Sequence, residues 1–121
     1  MRILKFRLFH QWAKKERISN SSLKKAIDEI ENGLFDANLG NGLYKKRVAR
    51  KGQGKRDGYR TILTFKEKNR SIFMYGYAKN DRANINDKEK EVYKKLAAYY
   101  LSITDIKLDL LINNGELFEV K

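Results

Sequence analysis

Between Leu43 and Arg60 the chain carries eight lysines and arginines against a single acid, Asp57. Their spacing gives them chemical interest. In Tyr44-Lys-Lys-Arg-Val-Ala-Arg50 the period-two alternation of a strand puts Lys45 and Arg47 on one face and Tyr44, Lys46 and Val48 on the other. Tyr44 and Val48 require a core, so Lys45 and Arg47 are expected to face solvent. Lys46 is then stranded on the core side, to be rescued by a bulge or a snorkelling stem. Arg60 alternates with Tyr59, Thr61, Leu63 and Phe65 and can join Lys45 and Arg47 across a strand pair. Lys79, Asn80 and Arg82 close a further stretch, Tyr75-Gly-Tyr-Ala-Lys-Asn-Asp-Arg82, and can converge on the same end of a sheet.

Such a cluster can hold a polyanion, and it can also cleave one. A free lysine titrates near about 10.4, which leaves only on the order of one in a thousand neutral at pH 7. Neighbouring guanidinium groups disfavour the charged form. A lysine tuned this way can take the proton from a ribose 2′-hydroxyl while arginines stabilise the extra negative charge at phosphorus. Arginine is always charged, so it serves as stabiliser and not as base. The alternative is a solvated basic face without chemistry. Against it, like charges directly opposite on a sheet are destabilising, which suggests that a bound anion relieves them.

Other chemistries have little to stand on. His10 is the single histidine and cysteine is absent, which removes a paired-histidine ribonuclease mechanism, disulfides and thiolate metal sites. Gly52-Gln-Gly-Lys55 is too short for a Walker loop and is followed by Arg56 instead of Ser or Thr. The acidic pairs Asp28 with Glu31 and Glu89 with Glu91 suit helix starts or solvent positions, not a two-metal site. No cofactor and no metal is expected.

The totals agree with one domain over residues 1–121. Hydrophobic residues make up 41% of the chain, so its 35% charged content reads as surface and not disorder. The net charge of +12 is concentrated: residues 43–82 carry thirteen basic and three acidic groups, against +3 before them and −1 after. A concentrated patch favours nucleic acid over an acidic protein partner. No apolar run approaches the roughly 20 residues of a membrane span, and Met1-Arg-Ile-Leu-Lys-Phe-Arg is interrupted by charge and is no signal peptide. A cytoplasmic protein is expected.

The elements that must position the cluster follow from periodicity. Residues 2–8 read as a first strand and Phe9 to Arg17 as a short helix with Phe9, Trp12 and Ala13 on one side. After Ser19-Asn-Ser-Ser, the spacing of Leu23, Ile27, Ile30 and Leu34 predicts a helix that Gly33 ends. Asp36 to Gly42 reads as an Asn/Gly-rich loop. Strands are expected over 44–50, 59–65 and 71–79 as an antiparallel meander, the last two joined by a hairpin at Lys66–Arg70 and lying centrally. Asn86 and Glu89 form a capping box for a helix whose apolar stripe is Val92, Leu96, Tyr99 and Ile103. Thr104-Asp105 starts another, with Ile106, Leu110 and Leu111 inward and a stop at Asn113-Asn-Gly115. Glu116–Val120 can add a terminal strand.

Arg47-Val-Ala-Arg-Lys-Gly-Gln-Gly-Lys-Arg-Asp-Gly-Tyr-Arg-Thr-Ile-Leu63, followed by Phe73-Met-Tyr-Gly-Tyr-Ala-Lys-Asn-Asp-Arg-Ala-Asn-Ile85, resembles the RelE/ParE superfamily of toxins from bacterial type II toxin–antitoxin systems. The similarity is greatest to its HigB-like branch. It implies an α+β, RelE-like fold: N-terminal helices packed on a mainly antiparallel sheet, a three-stranded meander plus an N-terminal strand, with C-terminal helices. It further implies cleavage of messenger RNA in the ribosomal A site and inhibition of translation. The implied partners are the ribosome, mRNA and an antitoxin, in this branch a helix-turn-helix DNA-binding protein. Lys45, Arg47, Arg60 and Lys79 match the family's active cluster. Lys46, Arg50, Lys51, Lys55, Arg56, Asn80 and Arg82 are expected to bind RNA. Asn80 stands where the best-known members place a catalytic arginine, and Asn86 falls near their C-terminal tyrosine, for which Tyr75, Tyr77, Tyr99 or Tyr100 is the candidate substitute. Other branches poison DNA gyrase, one alternative activity; the other, to which the Asn80 departure points, is a catalytically inactive relative kept as a nucleic-acid-binding module.

Overall fold

The computed structural model describes residues 1–50 and 58–121. It contains β1 (Arg2–Phe6), α1 (Arg7–Lys15), α2 (Asn20–Glu31), β2 (Ala37–Gly40), β3 (Leu43–Val48), β4 (Tyr59–Lys66), β5 (Arg70–Ala78), α3 (Asp87–Ser102), α4 (Asp105–Asn113) and β6 (Leu117–Glu119). The strands form one sheet in the order β2-β3-β4-β5-β1-β6. All its pairings are antiparallel except β1 with β5, which run parallel from Arg2↔Arg70 to Lys5↔Phe73. This is the α+β, RelE-like arrangement expected, with the meander β3-β4-β5 at its centre.

One sheet face packs on α1 and α2. Phe9, Ala13, Leu23, Ile27 and Ile30 meet Val48, Leu63 and Phe73 there, and Phe9 stacks on Phe73 at 5.2 Å between ring centroids. The other face carries α3, with Leu43, Ile62, Met74, Tyr77, Ile85 and Ala97 buried together. Leu4, Ile72, Leu108, Leu111 and Leu117 bind α4 to the far end of the sheet.

Five expectations are corrected. β1 stops at Phe6 and the helix begins at Arg7, because Phe6 must turn inward, where it packs 5.0 Å from Tyr100. Leu34 lies outside α2 and is exposed. Gly33 (φ +81°) ends that helix, with its N–H bonded to Ile30 O and the Leu34 N–H to Glu29 O, a Schellman arrangement. Residues 37–40, read as loop, form β2 and pair with β3 through a turn in which Asn41 and Gly42 both take positive φ. α3 keeps its capping box but turns Tyr93, Leu96, Ala97 and Tyr100 toward the sheet and leaves Val92 and Tyr99 exposed. α4 buries Leu108 and Leu111 and exposes Ile106 and Leu110. Both helices are apolar on more than one side, so their own periodicity does not choose the buried face.

A bulge in β5 decides which way two of its tyrosines point. Ile62 pairs with Tyr75 but Leu63 with Phe73, leaving Met74 as an extra residue. Side-chain phase switches there. Phe73 points to α1, whereas Tyr75 and Tyr77 point to the α3 face.

Candidate nucleic-acid site on the α3 face

Cross-strand register assembles the site in rows. Arg47 lies directly opposite Arg60, and Arg60 directly opposite Tyr77. One row along, Lys45 pairs with Ile62 and Ile62 with Tyr75. Paired residues share a face, so Lys45, Arg47, Arg60, Tyr75 and Tyr77 stand together. The turn after β5 brings in Arg82, whose guanidinium carbon lies 5.8 Å from each of the Tyr75 and Tyr77 ring centroids. Tyr93 of α3 stacks on Tyr75 at 6.0 Å.

Built-in acids offset part of the positive charge, so a bound anion is not needed to make the cluster tolerable. Arg47 pairs with Asp36, Nε to Oδ1 at 3.2 Å, and its backbone N–H donates to Oδ2 at 2.6 Å. Arg82 donates to both Glu89 oxygens and to the Tyr75 hydroxyl at 3.3 Å. Those hydrogen bonds, Glu89 first, raise the Arg82 pKa. Arg60 is 8% exposed and donates to the Gly58 carbonyl at 3.1 Å. Lys45 Nζ reaches Asn84 Oδ1 at 3.5 Å, and the Tyr77 hydroxyl reaches the same oxygen at 3.4 Å. Burial pushes the Tyr77 pKa up, partly opposed by Arg60 and Arg82, so at neutral pH its hydroxyl keeps its proton.

The remaining expected site residues divide. Lys79 and Asn80 are exposed in the turn that follows β5. Lys46 is on the core face as its phase requires, but its rescue is neither a bulge nor a snorkelling stem. It is 4% exposed and pairs with Glu29 of α2 at 3.2 Å, on the side of the sheet away from Lys45, so burial removes it from an RNA-facing surface. Arg50 also leaves the cluster, with its guanidinium 5.3 Å from the Tyr59 ring centroid, and Tyr59 packs against Trp12 of α1. Lys51, Lys55 and Arg56 lie outside the described residues. Of the four tyrosines proposed as substitutes, Tyr75 and Tyr77 share the Arg60 face. Tyr100 packs on Phe6 and Tyr99 on Tyr100. Asn86 caps α3. Sequence reasoning missed Asp36 and Asn84, and it gave Glu89 only a capping role. Asp36 is the one acid of the Asn/Gly-rich stretch 36–42, but it lies 11 positions from Arg47 in the chain, and nothing in the local pattern marks Asn84.

An apolar cleft of about 380 Å³ opens beside the cationic face, lined by Leu8, Trp12, Met74, Tyr75 and Tyr93 among others. It shares Tyr75 and Tyr93 with the site but none of its lysines. Among the described residues no group of His, Asp and Glu has the arrangement of a metal site, and no helix is long and apolar enough to cross a membrane.

The family model described as the RelE toxin of the RelE/RelB toxin–antitoxin system matches residues 1–120. The chain therefore belongs to the RelE toxin family. It is the toxin half of a toxin–antitoxin pair, and its partner is an antitoxin. No curated protein matches it closely enough to count as a relative.

Proposed function

We propose that this toxin is a ribosome-dependent mRNA endonuclease of the HigB-like branch, acting as a single domain over residues 1–121. The observation that carries the reading is the row in which Arg47, Arg60 and Tyr77 stand opposite one another, with Lys45 one row away on the same face. Two guanidinium groups side by side suit the non-bridging oxygens of one phosphate. Lys45 takes the proton of the ribose 2′-hydroxyl, the 2′-oxygen attacks phosphorus, and Arg47 and Arg60 stabilise the doubly charged centre. The bond from phosphorus to the 5′-oxygen then breaks. The products are a 2′,3′-cyclic phosphate and a 5′-hydroxyl, with the leaving oxygen taking a proton from a tyrosine hydroxyl or water.

Lys79 and Arg82 add charge stabilisation at the end of β5, and Asn80 stands beside them as a hydrogen-bonding contact. Lys51, Lys55 and Arg56 grip the RNA backbone, which makes binding steeply salt-dependent. The reaction takes place in the cytoplasm, where ribosomes and messenger are found, until a helix-turn-helix antitoxin neutralises the protein.

The test is expression of the wild type and of Arg60→Ala, with messenger 5′ ends and chromosomal breaks mapped in the same cells. New 5′ ends on translated messages and their loss in a folded Arg60→Ala protein support the reading. DNA breaks without messenger cleavage would instead identify a gyrase poison. Undiminished toxicity of the folded variant would overturn the site assignment.

A further inference from the structure

Asn84 stands at a junction that neither the strand pattern nor the family match marks. Its carboxamide oxygen accepts from the Ile85 N–H at 2.9 Å, which fixes which end of the amide is the oxygen. That same oxygen receives Lys45 Nζ from β3 at 3.5 Å and the Tyr77 hydroxyl from β5 at 3.4 Å. The backbone carbonyl of Asn84 accepts from Arg82 Nε at 3.0 Å. One residue outside every helix and strand thus touches three of the charged or protic side chains of the site, and they come from three different segments.

We propose that Asn84 is a positioning residue. Locked by the Ile85 N–H, its carboxamide oxygen draws Lys45 Nζ and the Tyr77 hydroxyl to one point and sets Lys45 against a phosphate held by Arg47 and Arg60. The proposal rests on the reading of the protein as an endonuclease. A lysine stem has four rotatable bonds and loses much rotamer freedom when held in one place. An acceptor that already has its own direction fixed removes part of that freedom before substrate arrives. Lys45 Nζ and the Tyr77 hydroxyl reach Asn84 at the long end of hydrogen-bonding distance, so they remain able to leave it for substrate oxygens.

The experiment measures cleavage on programmed ribosomes by the purified toxin, together with the carbon-13 signal of the Lys45 ε-methylene. Asn84→Ala lowers kcat roughly tenfold, the size of one lost orienting hydrogen bond, and leaves KM within about twofold, since the phosphate-binding arginines are untouched. In a Lys45→Met background the same substitution costs well under tenfold further, because the part of its effect that passes through Lys45 is gone and only the Tyr77 contact is left to lose. The Lys45 ε signal moves when Asn84 is removed. Asn84→Ser, whose hydroxyl can still take the Ile85 N–H, serves where the alanine variant loses its fold or its antitoxin binding.

An equal loss of kcat in the Lys45→Met background, a change confined to KM, or an unmoved Lys45 signal overturns the proposal. A wild type that cleaves nothing overturns the endonuclease reading instead, and the Lys45 signal then decides on its own whether Asn84 holds that side chain.

Discussion

Glu89 accepts two hydrogen bonds from the Arg82 guanidinium, at 2.5 and 2.9 Å, while its Oε1 also accepts the backbone N–H of Asn86 at 2.9 Å. A single carboxylate therefore completes the capping box of α3 and holds a cation beside Tyr75 and Tyr77. Local helix chemistry and site geometry are joined at this atom. The first turn of α3 thus helps to hold Arg82, alongside the Asn84 carbonyl and the Tyr75 hydroxyl.

Substituting Glu89 separates the two roles. Glu89→Gln keeps an acceptor for the Asn86 N–H and removes the charge, whereas Glu89→Ala removes both. The alanine variant melts a few degrees lower from loss of the box. Both variants remove the acid that neutralises Arg82, so the slope of log RNA affinity against log salt steepens by about one. Arg82, followed by the Asn86 backbone N–H, holds the Glu89 carboxyl below its ordinary value of 4.5. A lowered folded value means that the clamp contributes stability above pH 4.5 and loses it as pH falls through that lowered value. Acid titration followed by circular dichroism is therefore steeper for the wild type in this range than for Glu89→Gln.

How much of this was legible in the sequence depended on whether a residue's surroundings were local. Strand alternation put Lys45 and Arg47 opposite Lys46 in phase, and the Asn86–Glu89 spacing declared its helix. Tyr75 and Tyr77 were visible as residues, but their direction depends on the bulge at Met74, which no residue type announces. Val92 and Tyr99 were read inward because the apolar residues of α3 outline two overlapping stripes. Only the packing of Tyr93 on Tyr75 and of Ala97 in the Leu43–Ile62 cluster selects between them. The partners of Lys46, Arg47 and Lys45 are Glu29, Asp36 and Asn84, which are 17, 11 and 39 positions away. Pairings over such separations are fixed by topology and leave no periodic trace.

The buried pair of Lys46 and Glu29 makes a prediction of the opposite kind to the site lysines. Removing one partner of a buried ion pair typically costs about 3–5 kcal/mol. Lys46 is 5% and Glu29 19% exposed at the side chain, so Lys46→Ala is expected near the lower end of that range by urea denaturation. The fraction that remains folded binds RNA with unchanged affinity and salt slope. A variant of full stability and weakened RNA binding would return Lys46 to the interface.

Gly76 tests the seating of α1. It faces Trp12, and a Cβ at this position would run into the indole ring, which itself packs edge-on against Tyr59 at 5.2 Å. Gly76→Ala therefore overpacks this contact and destabilises by about 1–3 kcal/mol. Trp12 is the only tryptophan, so its emission reports the displacement directly. Because Gly76 lies between Tyr75 and Tyr77, the shift is also expected to reach the site as a reduced cleavage rate, and Gly76→Ser should behave alike.

Lys5 is 6% exposed, and its hydrogen bond is to Asn20 Oδ1 at 3.3 Å, a neutral group that does not repay the burial of a charge. Burial lowers its pKa from 10.5. With the folded value depressed, the unfolded chain binds more protons between that value and 10.5, so stability rises with pH across this window, and at neutral pH the fold bears the cost of the buried ammonium. Lys5→Met keeps the stem and removes the charge. It is expected to stabilise the protein at pH 7 by about 1 kcal/mol and to abolish the gain in melting temperature on going to pH 10. The neighbouring His10 supplies a second readout. Its pKa is lowered by burial first and then by Lys5 and Lys14, while its ring stacks on Phe118 at 4.1 Å. Loss of the Lys5 charge therefore moves the His10 titration, followed by proton NMR, upward toward 6.5, and a His10 midpoint that stays put would show that the two side chains do not sense each other.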